Sequence, residues 1–102
     1  MTAKEVEVST PERKTHAHVF VSGIVQGVGY RFATLEQANQ LGICGWVQNL
    51  PDGRVEAVFE GTQGGIEQMI RWCHKGPPGA VIKNVVVEYQ EPQNLREFQI
   101  KR

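Results

Sequence analysis

The chain has 102 residues, 40% of them hydrophobic and 22% charged, which suits one domain with a sizeable core of its own. Eleven basic and eleven acidic side chains cancel to zero net charge, which argues against a general role on nucleic acid or on an anionic membrane surface. No apolar run is long enough to span a bilayer and none has the character of a signal-peptide core, so a cytoplasmic location is expected.

Residues 1 to 14 are rich in Lys, Glu, Ser and Thr, contain Pro11 and lack aromatics, so a disordered tail is expected ahead of a domain over 15–102. Ala17, Val19 and Val21 alternate with His18, Phe20 and Ser22, the pattern of a strand with one buried face. The glycine-rich stretch Gly23-Ile24-Val25-Gln26-Gly27-Val28-Gly29-Tyr30-Arg31 follows and leads into a helix from Tyr30 to Leu41, with Gly42 as its stop. Cys44 to Leu50 reads as a second strand, Pro51-Asp52-Gly53 as a hairpin turn, and Val55, Ala57 and Phe59 as the buried face of a third strand. A second helix opens in Gly61 to Gly65 and runs to about Lys75 with the apolar stripe Ile66, Met69, Ile70 and Cys73; Gly76-Pro77-Pro78-Gly79 breaks it. Val81 to Tyr89 gives a fourth strand, and Glu97 to Lys101 a short final extension. The order βαββαβ predicts an α+β, ferredoxin-like sandwich: a four-stranded antiparallel sheet with both helices on one face. That fold hosts many functions and decides none of them.

The glycine-rich turn carries more information. A strand–turn–helix connection of this kind points several backbone N–H groups into one concavity, with the positive end of the helix dipole behind them. Arg31 in the first helical turn adds a planar, permanently charged fork that matches phosphate oxygens. Glycines in such a connection can also serve chain geometry alone, and this loop lacks the lysine of a P-loop and the full dinucleotide fingerprint. A compact dianion, a phosphoryl group, is the ligand such a loop suits.

A second segment, Leu41-Gly42-Ile43-Cys44-Gly45-Trp46-Val47-Gln48-Asn49-Leu50-Pro51-Asp52-Gly53-Arg54-Val55-Glu56, stands in order behind the first. Together the two resemble the acylphosphatase family, with its signatures G-x-V-Q-G-V-x-[FY]-R and L-G-x-x-G-W-V-x-N-x-x-D-G-x-V-E. The resemblance extends through Gly76-Pro77-Pro78 to Phe98-Gln99-Ile100, and so covers about Thr15 to Arg102. It implies the ferredoxin-like fold and hydrolysis of the carboxyl–phosphate bond of acyl phosphates. It also implies that Arg31 binds the phosphate, that the N–H groups around Gln26, Gly27, Val28, Gly29 and Tyr30 form the cradle, and that Asn49 positions the attacking water. Tyr30 stands where the family usually has phenylalanine, so its hydroxyl needs a partner or solvent.

These residue types fit that chemistry. A carboxylate leaves an acyl phosphate readily, so the barrier lies in phosphoryl charge and in placing water in line. A guanidinium with oriented amides answers the first need and a carboxamide the second; a substrate oxygen can take the water's proton. No metal and no cofactor are expected, and Asp52 is expected to serve its turn. Cys44 and Cys73 are expected as free thiols on opposite sides of the sheet, and His16 and His18 as sharing a solvated sheet face. His74 would complement a helix dipole, and Trp46 and Trp72 would be packing residues. The expected partner is a small acyl phosphate, with no nucleic acid and no membrane, and the chain is expected to act as a monomer. Two other readings compete: a non-catalytic phosphate- or carbamoyl-phosphate-binding module, and a ferredoxin-like RNA-binding domain. Zero net charge and the lack of an aromatic RNA-binding pattern count against the latter.

Overall fold

The structure, a computed structural model, describes residues 13–102, so most of the expected N-terminal tail lies outside the described residues. Seven elements follow in order: β1 (Thr15–Ile24), α1 (Tyr30–Leu41), β2 (Cys44–Asn49), β3 (Val55–Gly61), α2 (Gln63–Lys75), β4 (Val81–Gln90) and β5 (Phe98–Ile100).

Alternation along the strands decides which face is covered. Ala17, Val19 and Val21 of β1, Val47 of β2, and Val55, Ala57 and Phe59 of β3 form one apolar cluster with Tyr30 and Ala38 of α1 and Ile66, Met69 and Cys73 of α2. Both helices therefore bury their apolar faces against the same side of the sheet. α2 is capped by Thr62, whose hydroxyl accepts from Gly65 N at 3.1 Å, and it ends where Gly76 takes a positive φ of 66°. α1 ends at Gly42, whose N–H turns back onto Ala38 and Asn39. Tyr30 is wholly enclosed: its hydroxyl donates to the Cys73 carbonyl at 2.9 Å, and its ring meets Trp72 at 5.4 Å between centroids. The hydroxyl that distinguishes Tyr30 from phenylalanine is thus satisfied within the core.

The sheet has five strands, not the four expected, in the order β4-β1-β3-β2-β5. The segment read as a final extension contains β5, which runs parallel to β2, while every other pairing is antiparallel. The mixed sheet is closed on that side by Gly45 N donating to Glu97 O at 2.8 Å and Lys101 N to Val47 O at 2.9 Å. Gly45 lets the strands approach: at φ 142° a Cβ there would stand 1.8 Å from the Val58 carbonyl oxygen.

The helix-free face corrects the expectation for the histidines. His16 and His18 do share it, but His16 is only 1% exposed. Its Nδ1 lies 2.9 Å from Glu60 Oε1, and the same buried carboxylate accepts from the backbone amides of Gln93 and Leu95, each at 2.6 Å. Asn94 between them has a positive φ of 57°, which turns both amides toward one carboxylate. The β4–β5 connection is thereby strapped across the sheet and covers His16. His18 is partly exposed and bonded to Glu56 at 2.7 Å. Trp46 lies under the Lys101 ammonium, 4.0 Å from its ring centroid. Cys44 and Cys73 are free, with Cys44 on the helix-free face and Cys73 in the core, where burial pushes its thiol up to about 12.

Candidate active site

The end of β1 and the start of α1 are joined by a turn in which Gly27 and Gly29 both adopt left-handed backbone, at φ 76° and 78°. Space would allow a Cβ at either position, so what these glycines supply is conformation. Gly29 is also the N-cap of α1, and no side chain caps that end. The amide of Ala33 is the first to find a helical partner, donating to Gly29 O at 3.0 Å. The N–H groups of Tyr30, Arg31 and Phe32 precede it and have no helical acceptor. No acidic residue sits in this first turn, so the positive helix end meets no opposing charge of its own.

These groups open onto a small concavity of about 130 Å³. Gly27, Gly29, Tyr30 and Arg31 line it from the turn and helix, and Asn49 lines it from the end of β2. The two conspicuous polar residues of the two sequence segments therefore face one space. Arg31 forms no ion pair among the described residues. The Asn49 side-chain oxygen Oδ1 is buried and meets no donor there. No histidine and no carboxylate contributes to the lining.

Two residues whose N–H groups were expected in the cradle have side chains engaged elsewhere. Val28 packs against the core, and Gln26 does not line the concavity. The Gln26 side chain is committed to the β2–β3 hairpin: Nε2 donates to Leu50 O at 2.8 Å and to Arg54 O at 3.0 Å. It ties the glycine turn to the hairpin that follows Asn49. Two further lining residues, Val25 and Phe32, were not singled out from the sequence. Val25 is buried at the base of the turn and Phe32 stands 65% exposed. Their only sequence signal was position, Val25 as a fixed residue of the first signature and Phe32 directly after it, since neither carries reactive chemistry.

The hairpin itself is self-contained. Leu50 N donates to Arg54 O at 2.8 Å, and Asp52 accepts from Arg54 N at 3.1 Å and from Arg54 Nε at 2.8 Å. Those hydrogen bonds, the backbone one foremost, hold the Asp52 carboxyl below its usual range, so it serves the turn and is a poor proton acceptor. Among the described residues no three His, Cys, Asp or Glu side chains are grouped to hold a metal ion, and no helix is long and apolar enough to cross a membrane.

An arginine, a set of unengaged amides and a carboxamide around a phosphoryl-sized space can clamp a tetrahedral dianion and hold a water against it. The family model for acylphosphatase matches residues 17–100. An acylphosphatase of a Nostoc species is 61% identical over 95 residues, covering 92% of this chain and 94% of its own. The structure of an acylphosphatase from Coxiella burnetii superposes with a TM-score of 0.84 at 38% identity, covering 86% of this chain and 93% of that one. Full-length HypF, in its phosphate- and nucleotide-bound form, matches with a TM-score of 0.83 at 26% identity over 94% of this chain, but over only 13% of its own. The chain described here belongs to the acylphosphatase family, enzymes that hydrolyse the carboxyl–phosphate bond of acyl phosphates.

Proposed function

We infer that the concavity between the glycine turn and Asn49 is where hydrolysis takes place, and that each lining group has a distinct task. The amides of the turn and of the first α1 residues bind the phosphoryl oxygens, and Arg31 neutralises the charge that remains as the bond to the carboxylate breaks. Asn49 Oδ1 accepts a hydrogen bond from the attacking water and fixes its approach; the water's proton passes to a phosphoryl oxygen. The carboxylate leaves without a protein acid. The enzyme acts as a monomer in the cytoplasm.

The observation that carries this reading is that Asn49, whose buried side-chain oxygen has no donor, lines the same small space as Arg31. A carboxamide oxygen would repel an anion placed against it but accepts a hydrogen bond from water, the donor the reaction needs. The same point weighs against a non-catalytic phosphate module, the reading that the likeness to a short part of HypF would favour. A site built only to hold an anion has no use for that oxygen.

Asn49→Ala tests it. Turnover should fall by roughly 10²- to 10³-fold, the usual effect of removing one oriented polar group, while inorganic phosphate still binds. A purely structural Asn49 would give normal turnover and a lowered melting midpoint, so turnover, phosphate affinity and midpoint are measured on one sample.

A further inference from the structure

Phe32 is out of place for a helix of this kind. The buried residues of α1 are Tyr30, Thr34 and Ala38, and at roughly 3.6 residues per turn position 32 points away from them. The ring is 65% exposed and takes no part in the apolar cluster. A lone exposed apolar residue needs no explanation. Phe32, however, is the one exposed large apolar residue among those described that also lines the phosphoryl concavity; Ile24, Val81, Val86 and Tyr89 do not. Long side chains on a helix lean toward its N-terminus, which carries the ring toward the mouth of the turn.

The size of the concavity gives that position a meaning. About 130 Å³ suits a phosphoryl group and is far below the roughly 300–1,000 Å³ of clefts that enclose a whole organic ligand. The acyl half of the substrate must project past the rim. Arg31 and the amides meet only the phosphoryl group that all acyl phosphates share, so they cannot tell one acyl group from another. Discrimination falls to whatever the acyl group touches outside, and Phe32 is an apolar face at that rim.

We propose that Phe32 forms the acyl-group subsite and is the residue by which this enzyme separates large apolar acyl groups from acetyl-sized ones. A flat ring offers offset or edge-to-face contact to an aromatic acyl group and little area to a methyl group. The assignment rests on the phosphate reading above. Its test compares benzoyl phosphate and acetyl phosphate on the parent enzyme, Phe32→Ala and Phe32→Leu, with inhibition by inorganic phosphate measured on each. Phe32→Ala keeps the backbone N–H that the cradle uses and removes only the ring, so it should raise KM for benzoyl phosphate roughly tenfold, while KM for acetyl phosphate, which has little area to lose, should change far less. Phe32→Leu, which keeps an apolar side chain, should recover most of the difference, and phosphate inhibition should be alike in all three. Equal losses on both substrates, or no change on either, would overturn the subsite while phosphate competition stayed intact. Failure of phosphate to compete in the parent enzyme is a separate result and would remove the phosphate reading itself.

Discussion

The role proposed for Arg31 turns on the shape of one charged group. Its neighbours in the first turn of α1 contribute N–H donors, each fixed by the backbone and only partly charged. A phosphoryl group gaining charge at three oxygens needs a full positive charge presented in two directions, which a guanidinium provides. Arg31→Ala should therefore lower turnover by roughly 10³- to 10⁵-fold, the range seen when a phosphoryl-clamping arginine is lost. Because the side chain is not in the core cluster, the fold should survive, and a thermal melt beside the assay separates the two effects. Arg31→Lys should recover little, since an ammonium is a point charge without a fork. A fully active Arg31→Ala enzyme would remove this residue from the phosphate site.

Between elements, the site depends on a contact that neither motif announces by itself. The glycine turn leads into α1 and Asn49 ends β2; nothing in their own hydrogen bonding sets the gap between them. Gln26 bridges it by donating to Leu50 O and Arg54 O. Both carbonyls have a second donor within the hairpin, from Gly53 N and Leu50 N, so Gln26→Ala leaves no buried acceptor stranded. The stability cost should be about 1–2 kcal/mol for two neutral hydrogen bonds. Turnover should drop further than that figure suggests, by up to roughly 10²-fold, because small misplacements of reacting groups are costly. Since the alanine variant keeps every backbone N–H of the turn, a loss of turnover with retained phosphate affinity would assign Gln26 to spacing; unchanged turnover with a lower melting midpoint would leave it a structural tie. The sequence marked Gln26 as part of the loop but not where its side chain goes, for the acceptors lie across a turn and are backbone atoms. It did disclose β1, both helices, the hairpin and Gly42, because these follow from period and local turn chemistry. It also pointed to Arg31 and Asn49, which line one concavity and whose side-chain chemistry is distinctive, and did not single out the lining residues Val25 and Phe32, whose chemistry is not.

The least legible feature governs how the sheet is completed. β5 is three residues long, too short for alternation to register, and its place beside β2 depends on the strap that precedes it. That strap is held by Glu60, which is also why His16 was misjudged: strand alternation reports a face, not what a distant segment lays over it. Burial would raise the Glu60 carboxyl, but hydrogen bonds from His16 and from the Gln93 and Leu95 amides outweigh it and hold it below the ordinary glutamate value of 4.5. A carboxyl depressed in the folded state contributes stability that is fully present above its unfolded value and is lost as pH falls through its folded one. The strap should thus be sound at neutral pH and weaken below pH 4.5. Glu56, bonded to Gln48 and His18, and Asp52 are depressed as well and give slopes of the same sign, so the parent's acid profile alone does not isolate Glu60. The comparison with Glu60→Gln does. At neutral pH the variant should be less stable by roughly 1–3 kcal/mol, because an amide oxygen in the place of Oε1 can keep His16 and Gln93 but sets an NH₂ donor against the Leu95 amide. The two proteins should converge as pH falls below 4.5 and on through the lower folded value, where the parent's carboxyl is protonated too. Hydrogen exchange locates the change: the amides of Gly45 and Lys101, which join β2 to the segment around β5, should exchange faster in Glu60→Gln at neutral pH and at equal rates in acid. A variant whose stability ran parallel to the parent's through the acid range would show that the strap is held by its packing and not by this carboxylate.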